Sequence, residues 1–137
     1  MRTFPERLKS LHSATPERVA VYLQFPNRKD FPVTYDRLLR GAAAYARTLE
    51  REGIQPGEVT VLILQHGEDL IYSFWGAILH GAIPSIMPFL TEKLSPERYR
   101  ADMSALIAVT KPAAIITYPE FEAEVRGALR EGDSVRS

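Results

Sequence analysis

The segment Val59–Pro88, VTVLILQHGEDLIYSFWGAILHGAIPSIMP, constrains the fold more than any other part of the chain. Its first residues, Val59–Leu64, form a continuous apolar run that predicts a strand covered on both faces, as parallel strands are. Apolar residues then recur at helical spacing up to Gly81, a typical helix stop, and a second strand follows over Ala82–Met87. This order of elements is that of an α/β crossover.

The rest of the chain extends this alternation in both directions. Helices are predicted to begin after the N-caps Thr3, Thr34 and Ser95 and at Pro119, in addition to the crossover helix. The predicted strands are Val19–Gln24, Phe31–Thr34, Val59–Leu64, Ala82–Met87 and Ala113–Tyr118. We therefore predict an α/β fold, with a mainly parallel sheet, flanking helices and an N-terminal β-hairpin.

Three finer expectations follow from individual residues. Pro84 cannot donate to a strand ladder, so its strand should lie at an edge or carry a bulge. The alanines between Ala42 and Ala46 should let their helix approach the sheet closely. Residues 131–137 contain little to anchor them, so the single domain, residues 1–137, is expected to fray there.

Composition excludes several classes of function. The chain has 137 residues, enough for one domain, and its 17 basic and 17 acidic residues create no net field for nucleic acid. It has no cysteine, which excludes a thiolate nucleophile and a cysteine-ligated metal. No signal peptide is visible, and no apolar run approaches the roughly 20 residues that span a bilayer. We expect a cytoplasmic protein.

Few residues in the sequence suggest a catalytic or binding role. His66 follows a central strand, where α/β proteins place their sites, and could act as a base or orient a substrate. The simpler interpretation is a loop histidine with no catalytic role. His12 and His80 lie far from it in sequence, so a three-histidine metal site would need a coincidence of folding. Neither GxxxxGK[ST] nor GxGxxG occurs, and Glu68 and Asp69 after the first crossover strand would repel a phosphate. We assign no catalytic, cofactor-binding or metal-binding residue.

Three short segments, in order, resemble the amino-terminal part of the adenylate-forming (AMP-dependent synthetase/ligase) superfamily. Val33–Leu38, VTYDRL, is similar to the family's threonine or serine, tyrosine, any residue, glutamate, leucine pattern. Gly53–Val59, GIQPGEV, resembles its glycine, any two residues, proline-glycine, acidic residue, valine signature, and Leu79–Pro88 its leucine-lysine-alanine-glycine-alanine stretch closing on proline. Arg37 and His80 depart from these patterns, and the Gly81–Pro84 variant is more similar to branches that activate fatty or aryl acids.

The resemblance implies a part of an ATP- and magnesium-dependent enzyme. Such an enzyme joins a carboxylic acid to ATP as an acyl-adenylate, releases pyrophosphate and passes the acyl group to coenzyme A or an acyl carrier protein. The family's phosphate loop follows a segment like Ala113–Tyr118, and no catalytic residue of the family matches a position of this chain. The chain alone would then be a structural, inactive part, with the remainder of the enzyme as its partner.

Two other interpretations stay open. The chain could be a self-contained α/β interaction or binding module without catalysis, which should be monodisperse. A subdomain that normally packs against the rest of an enzyme should instead expose an apolar patch and self-associate. A small doubly wound domain of flavodoxin or receiver type would need a phosphate loop or an aspartate cluster, which Glu68 and Asp69 alone do not supply.

Overall fold

The computed structural model describes residues 3–88 and 95–137, and the order of elements agrees with the prediction. A 3₁₀ turn, Pro119–Phe121, opens the last helical region. The helices are α1 (Phe4–Ala14), α2 (Tyr35–Arg51), α3 (Glu68–His80), α4 (Pro96–Thr110) and α5 (Glu122–Ala128); the strands are β1 (Val19–Leu23), β2 (Phe31–Thr34), β3 (Val59–Ile63), β4 (Ile83–Ile86) and β5 (Ala114–Thr117).

Local side-chain chemistry fixes where the helices start and stop. Thr3 and Glu6 form a capping box, in which each side chain accepts a hydrogen bond from the other residue's backbone N–H. The hydroxyl oxygens of Thr34 and Ser95 accept from backbone N–H groups in the first turns of α2 and α4. Gly81 ends α3 at a φ of 91°, in the left-handed region that a glycine enters without strain.

The described strands form two sheets, which are the predicted hairpin and the predicted parallel sheet. β1 and β2 pair antiparallel as a hairpin, with an irregularity between Val19 and Val21. The other sheet is parallel, in the order β4-β3-β5, and Val61 in its central strand is completely buried. β4 is an edge strand, so the position expected for Pro84 is confirmed.

Helices cover both faces of the parallel sheet. On one face, Val61 and Ile63 pack against α4 and α5 through Met103, Ile107 and Val125. On the other face, Ala114 of β5 packs with Leu49 of α2 and Ala77 of α3. A third cluster joins the hairpin to α1, α2 and α3 and contains Leu8, Leu23, Val33 and Leu38, with Trp75 packed against it. The sheet is thus the middle of three layers, and the hairpin cluster lies beside it.

Helices α2 and α3 lie in close contact. A Cβ atom added to Gly76 would lie 2.5 Å from the Tyr45 Cβ and 2.7 Å from the Ala42 carbonyl oxygen. One added to Gly41 would lie 2.5 Å from the ring of Tyr72. The small residues of α2 therefore allow a close approach to α3. We expected them to approach the sheet, so that expectation named the wrong partner.

The last four residues are bound to the body of the protein. The backbone N–H of Arg136 donates to the Ala113 carbonyl oxygen at 2.8 Å, and Ile115 donates to the Ser137 carbonyl oxygen at 3.0 Å. Val135 packs against the cluster under α4 and α5. These contacts involve residues 134–137, and their partners lie far away in sequence. The expected fraying of residues 131–137 stays a prediction.

Candidate functional site

The carboxyl ends of β3 and β5 lie side by side, and their loops are tied together. The Thr117 hydroxyl donates to the Ile63 carbonyl oxygen at 2.9 Å, and the Gln65 backbone N–H donates to the Tyr118 hydroxyl oxygen at 3.2 Å. In an open α/β sheet this edge is where ligands bind. Here its polar groups are used to hold two loops in place.

His66, the strongest candidate from the sequence, also connects structural parts. Its Nε2 lies 2.8 Å from the Gln24 carbonyl oxygen, an acceptor, so Nε2 carries the proton and donates. Its ring centroid lies 5.0 Å from that of Phe25. His66 therefore fastens the loop after β3 to the end of the hairpin, as the simpler interpretation of a loop histidine expects.

The other two histidines are occupied elsewhere. His12 Nε2 lies 2.9 Å from Asp36 Oδ1 and joins the end of α1 to the start of α2. This hydrogen bond is the main reason that the pKa of Asp36 is lowered, with Arg40 adding to the effect. His80 donates from Nε2 to the Ile54 carbonyl oxygen. Within residues 3–88 and 95–137, no three histidine, aspartate or glutamate side chains gather as a metal site would require.

The N-terminus of α3 faces the same edge and would be the natural place for a phosphate. Two acidic residues occupy its first turn, and both are bound by tyrosines. The Tyr72 hydroxyl donates to Glu68 at 2.7 Å, and the Tyr45 hydroxyl donates to Asp69 at 3.1 Å. Burial, and next the neighbouring Glu68, raises the pKa of Tyr72 to about 12, so this bond persists at neutral pH.

Arg37 completes this arrangement. Its Nε lies 3.5 Å from Glu68 Oε2, and its guanidinium lies over the ring of Phe31. This arginine, which departs from the family's glutamate, thus pairs α2 with the acidic start of α3. The residues at this edge do not fit ATP or magnesium, because the carboxylates that might attract a cation are committed to tyrosines and arginine and would repel a phosphate.

The sequence did not predict one polar cluster, which lies near the amino-terminal ends of β3 and β5. The Arg136 guanidinium binds both oxygens of Glu58, at 2.8 and 2.7 Å, and donates to the Gly53 carbonyl oxygen at 3.1 Å. The Ser137 hydroxyl donates to Glu52 at 3.0 Å. The partners are 78 to 85 residues apart in sequence, so no local sequence pattern predicts these contacts.

No helix among the described residues has the length and apolar character needed to cross a membrane. Comparison with known proteins gives no match to a protein family profile and none to a curated protein. Similarity is found among solved structures.

Three of these structures illustrate the similarity. The fatty acyl-adenylate ligase from L. pneumophila, in complex with acyl adenylate and pyrophosphate, is 19% identical, with a TM-score of 0.74 over 88% of this chain and 20% of its own. A benzoate CoA ligase from Burkholderia xenovorans LB400 is 22% identical, with a TM-score of 0.71 over 98% of this chain and 25% of its own. McyG A-PCP complexed with phenylalanyl-adenylate is 19% identical, with a TM-score of 0.74 over 93% of this chain and 20% of its own.

The chain therefore has the fold of one part of these ligases, and the resemblance seen in its sequence is confirmed at the level of the fold. It spans about a fifth to a quarter of the length of the structures that it matches.

Proposed function

We propose that this chain is the amino-terminal part of a cytoplasmic, ATP-dependent ligase that forms an acyl-adenylate from a carboxylic acid. The observation that carries the proposal is the similarity, over 88% of the chain, to a fatty acyl-adenylate ligase with acyl adenylate and pyrophosphate bound. The ordered sequence segments Val33–Leu38, Gly53–Val59 and Leu79–Pro88 support it independently.

The structure gives each of these segments a structural role. Thr34 caps α2, and Gln55–Glu58 form a turn in which the Glu58 N–H donates to the Gln55 carbonyl oxygen and Gly57 has a φ of 87°. Gly81 ends α3 and starts the path into the edge strand. The shared residues thus shape the fold.

The proposed substrate is a fatty or aryl acid, and the proposed acyl acceptor is coenzyme A or an acyl carrier protein. The Gly81–Pro84 variant favours this class of acid. ATP and magnesium would be bound by the remainder of the enzyme, since the residues described above do not fit them. Adenylation assays with fatty, aryl and amino acids on the longer polypeptide encoded by the gene would test this choice, and activity confined to amino acids would refute it.

We also propose that the 137-residue chain is inactive alone and serves as a scaffold. We expect no ATP–pyrophosphate exchange by this chain with any of these acids, and exchange by the longer polypeptide in the same assay. Exchange by the chain above the level of a heat-denatured sample would contradict the scaffold role. A downstream gene sequence without a serine/threonine/glycine-rich loop ending in lysine would contradict the ligase itself.

A self-contained interaction module is the competing function, and it draws support from the helices that cover both faces of the sheet. Exposed apolar side chains favour the scaffold role instead, because Ile83 and Ile86 are each 52% exposed and Val109 is 81% exposed. Light scattering distinguishes the two. Self-association that increases with concentration supports a scaffold, whereas a monodisperse monomer supports a module.

A further inference from the structure

A cavity of about 260 Å³ lies among α1, the hairpin, α2 and α3. Phe4 and Leu8 of α1, Val21 of β1 and Trp75 of α3 form part of its wall. Among the described residues that line it, none belongs to the parallel sheet. The cavity is therefore separate from the carboxyl ends of β3 and β5.

The wall of this cavity is mostly apolar and partly aromatic. The rings of Phe4 and Trp75 meet edge to face, with their centroids 6.3 Å apart and their planes at 69°. Phe4 is 70% exposed and stands at the rim, whereas Leu8 and Leu38 are buried. A cavity of about 150 Å³ is enough for benzene, so this one has room for a molecule with one or two aromatic rings.

The polar side chains that line the cavity all offer hydrogen-bond donors. They are the Arg7 guanidinium, the Tyr35 hydroxyl and the Trp75 indole N–H. Within the part of the chain that the structure describes, none of these three groups has a hydrogen-bond or ion-pair partner. The Tyr72 hydroxyl, by contrast, donates to Glu68. The cavity thus presents donors that lack an acceptor.

The charge of the wall favours an anion. Of the described lining residues, Arg7 alone is charged. The larger groove beside α2 differs, because Arg47 shares it with the carboxylate of Glu50. A guanidinium binds a carboxylate through two parallel hydrogen bonds. Free donors, an uncompensated positive charge and an aromatic wall together match an aromatic carboxylate.

We propose that this cavity binds a small aromatic carboxylate with one or two rings. The ring system packs against Trp75 and Phe4, and the carboxylate accepts hydrogen bonds from the Arg7 guanidinium at the rim. This binding is separate from the proposed ligase activity and does not depend on it, because described residues form the cavity by themselves.

The test titrates the full chain with naphthoate and, separately, with naphthamide, which has nearly the same shape and no charge. Nuclear magnetic resonance follows the Trp75 indole N–H, which gives one signal because the chain has one tryptophan. We expect a saturable shift of this signal with both probes, and about tenfold tighter binding of naphthoate, because hydrogen bonds to a charged acceptor are stronger. Equal affinity for the two probes, or no saturable shift, would overturn the proposal.

Two charge variants of α1 locate the carboxylate. Arg7→Gln should weaken naphthoate by about tenfold and leave naphthamide unchanged. Lys9→Gln is the matched control, because it removes the same charge from the same helix but lines a different cavity. It should leave both affinities unchanged. Equal losses in the two variants would contradict the contact with Arg7, since the charge of the whole helix would then be responsible.

A third variant locates the ring. Ala20 lines the cavity, so Ala20→Leu should fill part of it and weaken both probes, with backbone amide signals confirming an intact fold. Unchanged affinity in that folded variant would mean that the probes bind elsewhere. A Trp75 shift that grows with protein concentration, together with a dimer in light scattering, would also overturn the proposal, because a second copy of the chain would then fill the cavity. None of these measurements uses ATP, so their failure is distinct from a failure of the ligase proposal.

Discussion

The contact between α2 and α3 and the contact at the outer edge of β5 are made in opposite ways. The helices approach because side chains are absent, with Gly41 and Gly76 leaving room for tyrosine rings and backbone. The β5 edge is held by added groups, since charged and hydroxyl side chains bind the end of the chain there. The first contact has no space for another group, while the second has cavities beside it.

This difference determines how each contact responds to a change in side chain or in pH. A contact made by glycine depends on fit, so an added methyl group is costly there. A contact made by an exposed ion pair depends on charge, and pH can weaken it without disturbing the core.

The largest effect is expected from Gly76→Ala. The new Cβ would overlap Tyr45 and the backbone of α2, so we expect a loss of about 2–3 kcal/mol in the free energy of unfolding, measured by urea denaturation. Gly127→Ala in α5 is the matched control. Its Cβ would meet only the guanidinium end of the long Arg100 side chain, 3.2 Å from Nε, and the gain in helix propensity should stabilise by up to about 1 kcal/mol. Equal effects of the two substitutions would show that the helix contact is no tighter than the open side.

The next effect concerns Thr60, on the sheet face that α3 covers. It is fully buried, and in the described residues its hydroxyl has no hydrogen-bond partner. Thr60→Val keeps the shape and removes the unpaired group, so we expect stabilisation by about 1 kcal/mol in the same assay. Thr117→Val is the control, because its hydroxyl bonds to Ile63 and its loss should destabilise. Destabilisation by Thr60→Val would mean that the hydroxyl has a partner in solution.

A smaller effect is expected from pH at the β5 edge. The hydrogen bonds from Arg136, followed by that from the Gln55 N–H, lower the pKa of Glu58 from 4.5 to about 2. The stabilisation by this pair is therefore complete above about pH 4.5 and is lost as the pH falls towards 2. Protection of the Ile115 and Arg136 amides, corrected for intrinsic exchange, should fall across that window. In Glu58→Gln it should already be low at pH 6 and should not change across the window.

The smallest effect is expected at the other edge of the sheet. Pro84 lies on β4 where an N–H would otherwise face outward, and proline cannot donate. Pro84→Ala supplies that donor, so we expect slightly stronger self-association, visible by light scattering only at high protein concentration. Ser85→Ala, at the neighbouring position that faces β3, is the control. A decrease in association for Pro84→Ala would show that proline does not protect this edge.

The parts predicted well from the sequence are those that a few neighbouring residues decide. The caps at Thr3, Thr34 and Ser95, the stop at Gly81 and the edge position of Pro84 all follow from local backbone chemistry. They determine the order of elements, and the order determines the fold class.

The parts that could not be predicted depend on partners far away in sequence. The partner of His66 is the Gln24 carbonyl group, 42 residues earlier, and any exposed carbonyl could have taken that place. The small residues of α2 allow a close approach, but whether to the sheet or to α3 depends on the complete packing. Residues 134–137 look featureless in sequence because Glu58, which holds them, is 78 residues from Arg136.

Pro84 distinguishes the two edges of the parallel sheet. Its missing donor hinders growth of the sheet beyond β4, whereas β5 has an edge that accepts pairing. The two edges therefore differ in what a neighbouring strand would meet: one backbone donor is missing at β4, while at β5 the Ile115 N–H is already bonded to the last residue of the chain.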